Sequence, residues 1–242
     1  MLFFLLLLVC LLAALGIFGH YIYCEHIGPS KKLKKPIRLY SHTSDVRDNA
    51  VECLRRVHQA LAARDIPHWP VGGTLIGCLR HQGPIPWDND VDIGVLDGDF
   101  DAAIQAVQDM HGKKVSIDRF GAGKMHRQWQ VKFPDLPGVY LDIFGYTNKH
   151  GRMAMSGTLP NFMYGERFVS SWLFPLKKRS LQYGDLVLDG PNDAHAINNF
   201  LAPGYMDLYV IPPRHSAYRP PWNLFMRKRH ASVKDVEAGL HD

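Results

Sequence analysis

"GGTLIGCLRHQGPIPWDNDVDIGV", Gly72 to Val95, opens on two glycines and ends with acids running into an apolar segment. Asp88, Asn89, Asp90 and Asp92 crowd carboxylate or carboxamide side chains into one short stretch. A solvated turn accounts for Asp88 and Asn89. It accounts less well for Asp90 and Asp92, which alternate with Val91, Ile93 and Val95. Residues two apart on a strand share a face, so Asp90 and Asp92 are expected to project together. Carboxylates that close raise each other's pKa unless a cation neutralises them. Oxygen ligands without Cys or His suit Mg²⁺ or Mn²⁺, and Mg²⁺ typically takes one or two carboxylates plus substrate phosphates.

A third acid lies downstream. In "VYLDIFGY" Asp142 interrupts Val139, Leu141, Ile143 and Phe144. A lone Asp in an apolar strand is costly unless paired or metal-bound; a turn cap or a basic partner is the structural alternative. Upstream, Gly72-Gly73-Thr74 falls between a short strand expected at 68–71 and a brief helix through Leu75, Ile76 and Leu79. Glycines there let the backbone approach a ligand closely, and N–H groups at a helix start favour phosphate. A Gly-Gly pair alone reads as a tight turn. Glycines, then Asp-x-Asp on one strand, then a single Asp on a later strand, is a more specific order. It resembles the layout of the nucleotidyltransferase fold.

The rest of the chain fits one domain with a mixed α/β core. Thr43 or Ser44 is placed to cap a helix carrying Val46, Ala50, Leu54, Val57 and Leu61, ending before Pro67. Asp97 or Asp99 is placed to cap a second helix to His111, with Gly112 just beyond its end. Strands are expected near 113–118, 126–133, 139–146 and 181–188. Pro191-Asn192 opens a last helix through Ala196, Ile197 and Phe200. The expected organisation is an anchor at 1–24, a basic linker at 25–42, a catalytic domain at 43–212 and a Pro/Arg-rich tail at 213–242.

Leu2 to Tyr23 contains no Lys, Arg, Asp or Glu. As a helix, this run would extend about 33 Å, enough to span a bilayer. A signal peptide is the rival, but no basic residue precedes the run and no A-x-A site follows it. Lys31, Lys32, Lys34, Lys35 and Arg38 come directly after it, which places the body in the cytosol if the positive-inside rule governs.

The net charge of +5 does not indicate a nucleic-acid partner. Residues 31–38, 177–179 and 227–229 hold much of the basic charge and no acid, so the remainder of the chain is acidic. The linker is suited to anionic headgroups or is a solvated spacer. Cys53 and Cys78 belong to no ligand cluster and are expected as buried free thiols.

The opening stretch resembles the signature of the LicD family, which includes bacterial phosphocholine transferases and the fukutin-related proteins of animals. Gly72, Gly73, Leu75, Gly77, Arg80, His81, Pro86, Trp87, Asp88, Asp90 and Asp92 fall on that signature. "YLDIF" with Asp142 resembles the later acidic strand, and "QYGDLVLDGPNDAHAINNFLAPGY" the closing portion. The likeness covers residues 45–210, with Asn89 where many bacterial members carry an acid.

The resemblance implies an α/β (α+β) nucleotidyltransferase-like mixed sheet flanked by helices, and the uncharged run Leu2–Tyr23 is expected to precede it as one transmembrane helix. It implies transfer of a phosphoalcohol, such as phosphocholine or ribitol phosphate, from a CDP-activated donor to a glycan hydroxyl. Asp90, Asp92 and Asp142 would be catalytic and would hold Mg²⁺ or Mn²⁺. Gly72, Gly73, Thr74, Arg80, Trp87 and Asp88 would bind substrate. Thr74 joins the two glycines in cradling a phosphate, and Arg80 supplies a forked cation unless it forms a structural salt bridge. His81 reads as supporting or surface, and Trp87 as core packing before a stacking platform. Animal relatives suggest a Golgi or secretory lumen, and bacterial relatives the cytoplasm. Two other functions share the same residues: nucleotidyl transfer to a small molecule or sugar, and an inert membrane-tethered glycan-binding protein.

Overall fold

The computed structural model describes residues 11–12, 15–16, 31–32, 44–86, 88–119, 127–157, 167–201, 206, 208–211 and 229–232. It divides into two compact units, Tyr40–Tyr205 and a second formed by Met1–Leu39 with Met206–Asp242. Most of the expected anchor, linker and tail lies outside the described residues, as does Trp87. Leu11–Leu12 and Leu15–Gly16 are helical. Among the described residues, no helix is long and apolar enough to cross a membrane.

The Tyr40–Tyr205 unit is built on a mixed seven-stranded sheet. Its main path runs β2 (His68–Pro70), β3 (Asp90–Leu96), β6 (Tyr140–Lys149), β5 (Gln128–Lys132) and β4 (Ser116–Arg119). β3 and β6 are parallel; β2, β5 and β4 pair antiparallel with their neighbours. The end of β6 also pairs with β7 (Arg152–Met155), which pairs with β8 (Arg167–Val169).

The alternation in β3 divides the sheet as the sequence predicts. Val91, Ile93 and Val95 are buried. They belong to one core with the apolar stripe of α1 (Ser44–Ala62), namely Ala50, Cys53, Leu54, Val57, Ala60 and Leu61. α3 (Phe100–His111) adds Phe100, Ala103, Ile104, Ala106 and Val107. Burying a side chain of the Val or Ile class contributes about 1.5–3 kcal/mol, so this helix-covered face is a main source of stability. The other face carries Asp90 and Asp92 and is met by α2 (Gly72–Arg80).

Several boundaries match the expectations, including α1, β3, β6 and the Gly112 stop, where φ is +54°. Others differ for physical reasons. Asp99 takes the cap position of α3 without a side-chain cap bond, while the Asp97 carboxylate is held by Arg127 at 2.8 Å. The single strand expected at 181–188 is a hairpin, β9 (Lys177–Tyr183) and β10 (Leu186–Gly190). Gly184 closes its two-residue turn with φ +65°, and a Cβ there would stand 2.8 Å from Val51. β7, β8 and the short α4 (Ser170–Leu173) were not anticipated. The last helix, α5 (Ala194–Leu201), is capped by Asp193, whose Oδ1 accepts the Ala196 N–H at 2.8 Å.

The second unit contains a separate three-stranded sheet. β12 (Arg229–Ser232) lies between β1 (Lys31–Lys32), to which it is parallel, and β11 (Leu208–Ile211), to which it is antiparallel.

Candidate active site

The parallel register of β3 and β6 sets Asp92 against Asp142 and Asp90 against Tyr140. Neighbouring strands lie about 4.8 Å apart, so the two in-register acids are adjacent on one face, with Asp90 two residues before Asp92. β5 extends the row, since Gln130 is the register partner of Asp142.

Asp142 is buried, at 6% exposure. Gln128 Nε2 donates to its Oδ2 at 2.9 Å and Gln130 Nε2 to its Oδ1 at 3.4 Å. Burial nevertheless lifts its pKa to about 6, against the opposing effect of the two amides. Tyr140 Oη donates to Asp90 Oδ2 at 3.3 Å. Asp88, which was expected among the substrate-binding residues, also meets Asp90. Burial of its carboxyl, the shared hydrogen bond and the charge of Asp90 together hold its pKa well above the usual carboxylate range. Negative charge here is therefore packed more tightly than the surrounding protein neutralises it.

The two glycines border these acids. A Cβ on Gly72, whose φ is +51°, would stand 3.1 Å from Asp92 Oδ2, and one on Gly73 2.6 Å from Asp88 Oδ2. The N-cap position, Val71, makes no side-chain bond to the first turn of α2. Open N–H groups at such a start are suited to an anion. Thr74 is buried and its Oγ1 accepts the Asp92 N–H at 2.7 Å. Its oxygen thus ties α2 to β3, a structural task the sequence did not announce.

Arg80 stands at the opposite end of α2 from the glycines, with Nε donating to His81 Nε2 at 2.9 Å. Burial, followed by the Arg80 charge, lowers the His81 pKa to about 4. Cys53 and Cys78 are free and buried, with thiols pushed up to about 12 mainly by desolvation, which makes both inert.

Gln128, Gln130 and Tyr140 escaped the sequence reading. The signal for the glutamines was the polar alternation in "QWQVK", which places both on one strand face. Tyr183 is a further buried neighbour; desolvation raises its pKa, with Cys78 and the acids Asp88, Asp92 and Asp90 adding to the shift. Its position depends on the unanticipated hairpin.

Among the described residues, no group of three or more His, Cys, Asp or Glu side chains is placed to hold a metal ion. The donor chemistry still fits Mg²⁺ or Mn²⁺: the acids offer oxygen only, and burial, with the charge of Asp90, raises the pKa of Asp88 and Asp142. Mg²⁺ habitually completes its shell with water and substrate phosphate, so a partial protein shell suits it.

The family model of the LicD/FKTN/FKRP nucleotidyltransferase domain matches residues 65–193, over half of the chain. An uncharacterized protein of Rickettsia prowazekii is 26% identical over 170 residues, covering 70% of this chain and 59% of that protein. The Homo sapiens ribitol 5-phosphate transferase FKRP is 28% identical over 144 residues, 59% of this chain and 28% of its own length. The Macaca fascicularis ribitol-5-phosphate transferase FKTN is 30% identical over 130 residues, 53% of this chain and 26% of its own length. The chain thus spans less than two thirds of each of these relatives. Among solved structures, the lincomycin-bound lincosamide antibiotic adenylyltransferase LnuA aligns at TM-score 0.39 and 17% identity, covering 63% of this chain and 82% of that one. This chain belongs to the LicD/FKTN/FKRP family, and residues 65–193 are its nucleotidyltransferase domain.

Proposed function

We propose that the chain is a transferase that moves a phosphoalcohol, such as ribitol phosphate or phosphocholine, from a CDP-activated donor to a glycan hydroxyl. The carrying observation is the in-register pair Asp92–Asp142, with Asp90 on the same face and Gly72–Gly73 at its border. The names of the FKRP and FKTN relatives support a phosphoribitol-type substrate.

Asp90, Asp92 and Asp142 would hold Mg²⁺ or Mn²⁺, which would supply charge neutralisation of the diphosphate and of the leaving group. The N–H groups of Gly72 and Gly73 orient a phosphate against the acids. Arg80, Trp87 and Asp88 serve the donor side. Asp142, buried on the same sheet face as Asp90 and Asp92, is placed to take the acceptor hydroxyl's proton. The acceptor oxygen then forms a bond to phosphorus, the bond from phosphorus to the CMP oxygen breaks, and CMP leaves with the electron pair.

On this reading the Leu2–Tyr23 run anchors the chain in a membrane, within the secretory pathway in a eukaryote and facing the cytoplasm in a bacterium. Nucleic acid is no partner.

Product analysis tests the reaction. With CDP-ribitol or CDP-choline, Mg²⁺ and a glycan acceptor, the expected products are CMP and a phosphoalcohol-bearing glycan. Pyrophosphate and a nucleotidylated acceptor from a nucleoside triphosphate would replace this reading with nucleotidyl transfer. No turnover of any activated donor would favour the inert glycan-binding alternative.

A further inference from the structure

The turn between β6 and β7 sets like charges side by side. His150 (φ +51°) and Gly151 (φ +73°) close it, and Lys149 and Arg152 are register partners across it. Arg152 is in turn the partner of Val169 on β8. Register partners share a sheet face, so Lys149, Arg152 and Val169 form one row, and all three are exposed. Two cations directly opposite each other across strands are destabilising. An anion laid over the row would relieve that cost.

The row leads directly into an aromatic pair. The N–H of Ser170, which opens α4, donates to the Gly151 carbonyl at 2.9 Å. Trp172, two residues on, meets Phe200 of α5 with ring centroids 5.9 Å apart, and Phe200 is 55% exposed. Beyond α4 the chain supplies more cations, since Lys177, Lys178 and Arg179 open β9 and are all exposed. Lys177 pairs with Gly190 at the base of the hairpin. Just past it, the N–H groups of Asn192 and Asp193 donate to the carbonyls of Leu173 and Trp172 at 3.0 and 2.7 Å, tying this end of the hairpin to α4. Among the described residues, none of Lys149, Arg152, Lys177, Lys178 and Arg179 forms an ion pair. The acids of the same segments are engaged by backbone: Asp189 accepts the Arg179 N–H and Asp193 the Ala196 N–H, each at 2.8 Å.

We propose that this surface docks on an anionic lipid bilayer, with the Trp172–Phe200 pair at headgroup level and Lys149, Arg152, Lys177 and Lys178 against the headgroup phosphates and carboxylates. An acidic partner protein would answer the cations alone. A bilayer also takes the exposed rings, because its interface is where amphipathic aromatics settle. The assignment depends neither on the transferase reading nor on the Leu2–Tyr23 run. Ile197, one turn before Phe200 on α5, lines a cavity that Gly72 and Gly73 also border, so docking would hold the candidate site close to the lipid.

The test is amide hydrogen exchange on the full chain with vesicles of phosphatidylcholine alone or with about 30% phosphatidylserine. Insertion of Leu2–Tyr23 into both vesicles would not produce a difference between them. The anionic vesicles should slow exchange in peptides spanning 148–153, 169–173 and 194–200 by about tenfold or more, and leave α1 unchanged. A basic residue near an anionic surface is worth about fivefold in affinity, so Lys177→Glu with Lys178→Glu should return exchange to the phosphatidylcholine rate. Phe200→Ser, with every cation intact, should lose most of the slowing through the missing ring. Should either variant melt, Lys149→Glu with Arg152→Glu, both exposed, carries the same expectation as the lysine pair. Equal exchange in the two vesicles, or undiminished slowing in the variants, overturns the proposal. Slowing by soluble poly-glutamate equal to that of the anionic vesicles assigns the face to an acidic protein and overturns the bilayer.

Discussion

Asp92 and Asp142 are direct register partners on parallel neighbouring strands, although fifty residues of chain separate them. With Gln130 they form one cross-strand row, Gln130–Asp142–Asp92, that spans β5, β6 and β3. The row puts two acids together and gives only one of them, Asp142, an amide neighbour in register.

Asp142 makes the metal-free protein sensitive to pH. Its pKa is raised from the ordinary 3.8 to about 6, so the folded chain holds this proton more tightly than the unfolded chain does. The resulting stability is complete below pH 3.8 and is lost as pH rises through about 6. Asp142→Asn should therefore gain stability relative to the parent between pH 3.5 and pH 7 in chelator. Denaturant titrations at pH 3.5 and pH 7 check this. An unchanged difference between parent and variant across that range would show that burial does not penalise this carboxylate.

Gln128 holds Asp142 in its ionised, oriented form through the 2.9 Å bond. Gln128→Leu removes a donor that favours the charged state, so the Asp142 pKa should rise further. The acidic limb of the pH–kcat profile should move upward, with thermal stability near that of the parent. A uniform fall in kcat without movement of the limb would assign Gln128 to packing alone.

The two glycines should fail in different ways. Gly72 has φ +51°, so Gly72→Ala forces a left-handed residue and should cost about 1–2 kcal/mol of stability. Gly73 has an ordinary backbone conformation, and its added methyl meets the movable end of Asp88 at 2.6 Å. Gly73→Ala should thus fold nearly as well as the parent while binding donor at least tenfold more weakly. Melting curves paired with donor titrations separate the two, and intact donor binding in Gly73→Ala would remove the turn from the site.

The anchor prediction rests on the uncharged run Leu2 to Tyr23. The full chain should stay with membranes through high salt and alkaline carbonate, and a chain beginning near Arg38 should be soluble. Release by carbonate, or a mature amino terminus near residue 24, would reject a retained span.

Much of the acid-bearing face was legible in the sequence because it is local. Period-two alternation in "DVDIGV" determines which face each residue takes, and the apolar run around Asp142 marks a second buried strand. What stayed hidden depends on chain segments that meet only in the fold. Gln128 and Gln130 become partners of Asp142 through the antiparallel pairing of β5 with β6, which no local pattern states. Thr74 reads as a phosphate ligand because it follows two glycines; that its oxygen also accepts a backbone N–H eighteen residues away is visible only in the fold. The Gly184 turn was legible and was passed over: Gly184-Asp185 between two apolar segments is a two-residue hairpin signal, and Gly184 takes φ +65° there.

The central claim is that the acids are gathered to serve a divalent ion and its phosphorylated donor, and CMP release by Asp92→Asn tests it most directly. The substitution keeps the shape of the side chain and removes its charge. The account predicts a fall in kcat of about 10³-fold or more, the scale of losing a principal source of transition-state charge stabilisation. It also predicts metal-free stability equal to or slightly above that of the parent, because Asp92 no longer adds charge to the crowded face. The rise in melting temperature that Mg²⁺ plus donor gives the parent should vanish. Near-normal CMP release from Asp92→Asn, or collapse of its fold, would contradict the account and make the acidic cluster a structural feature.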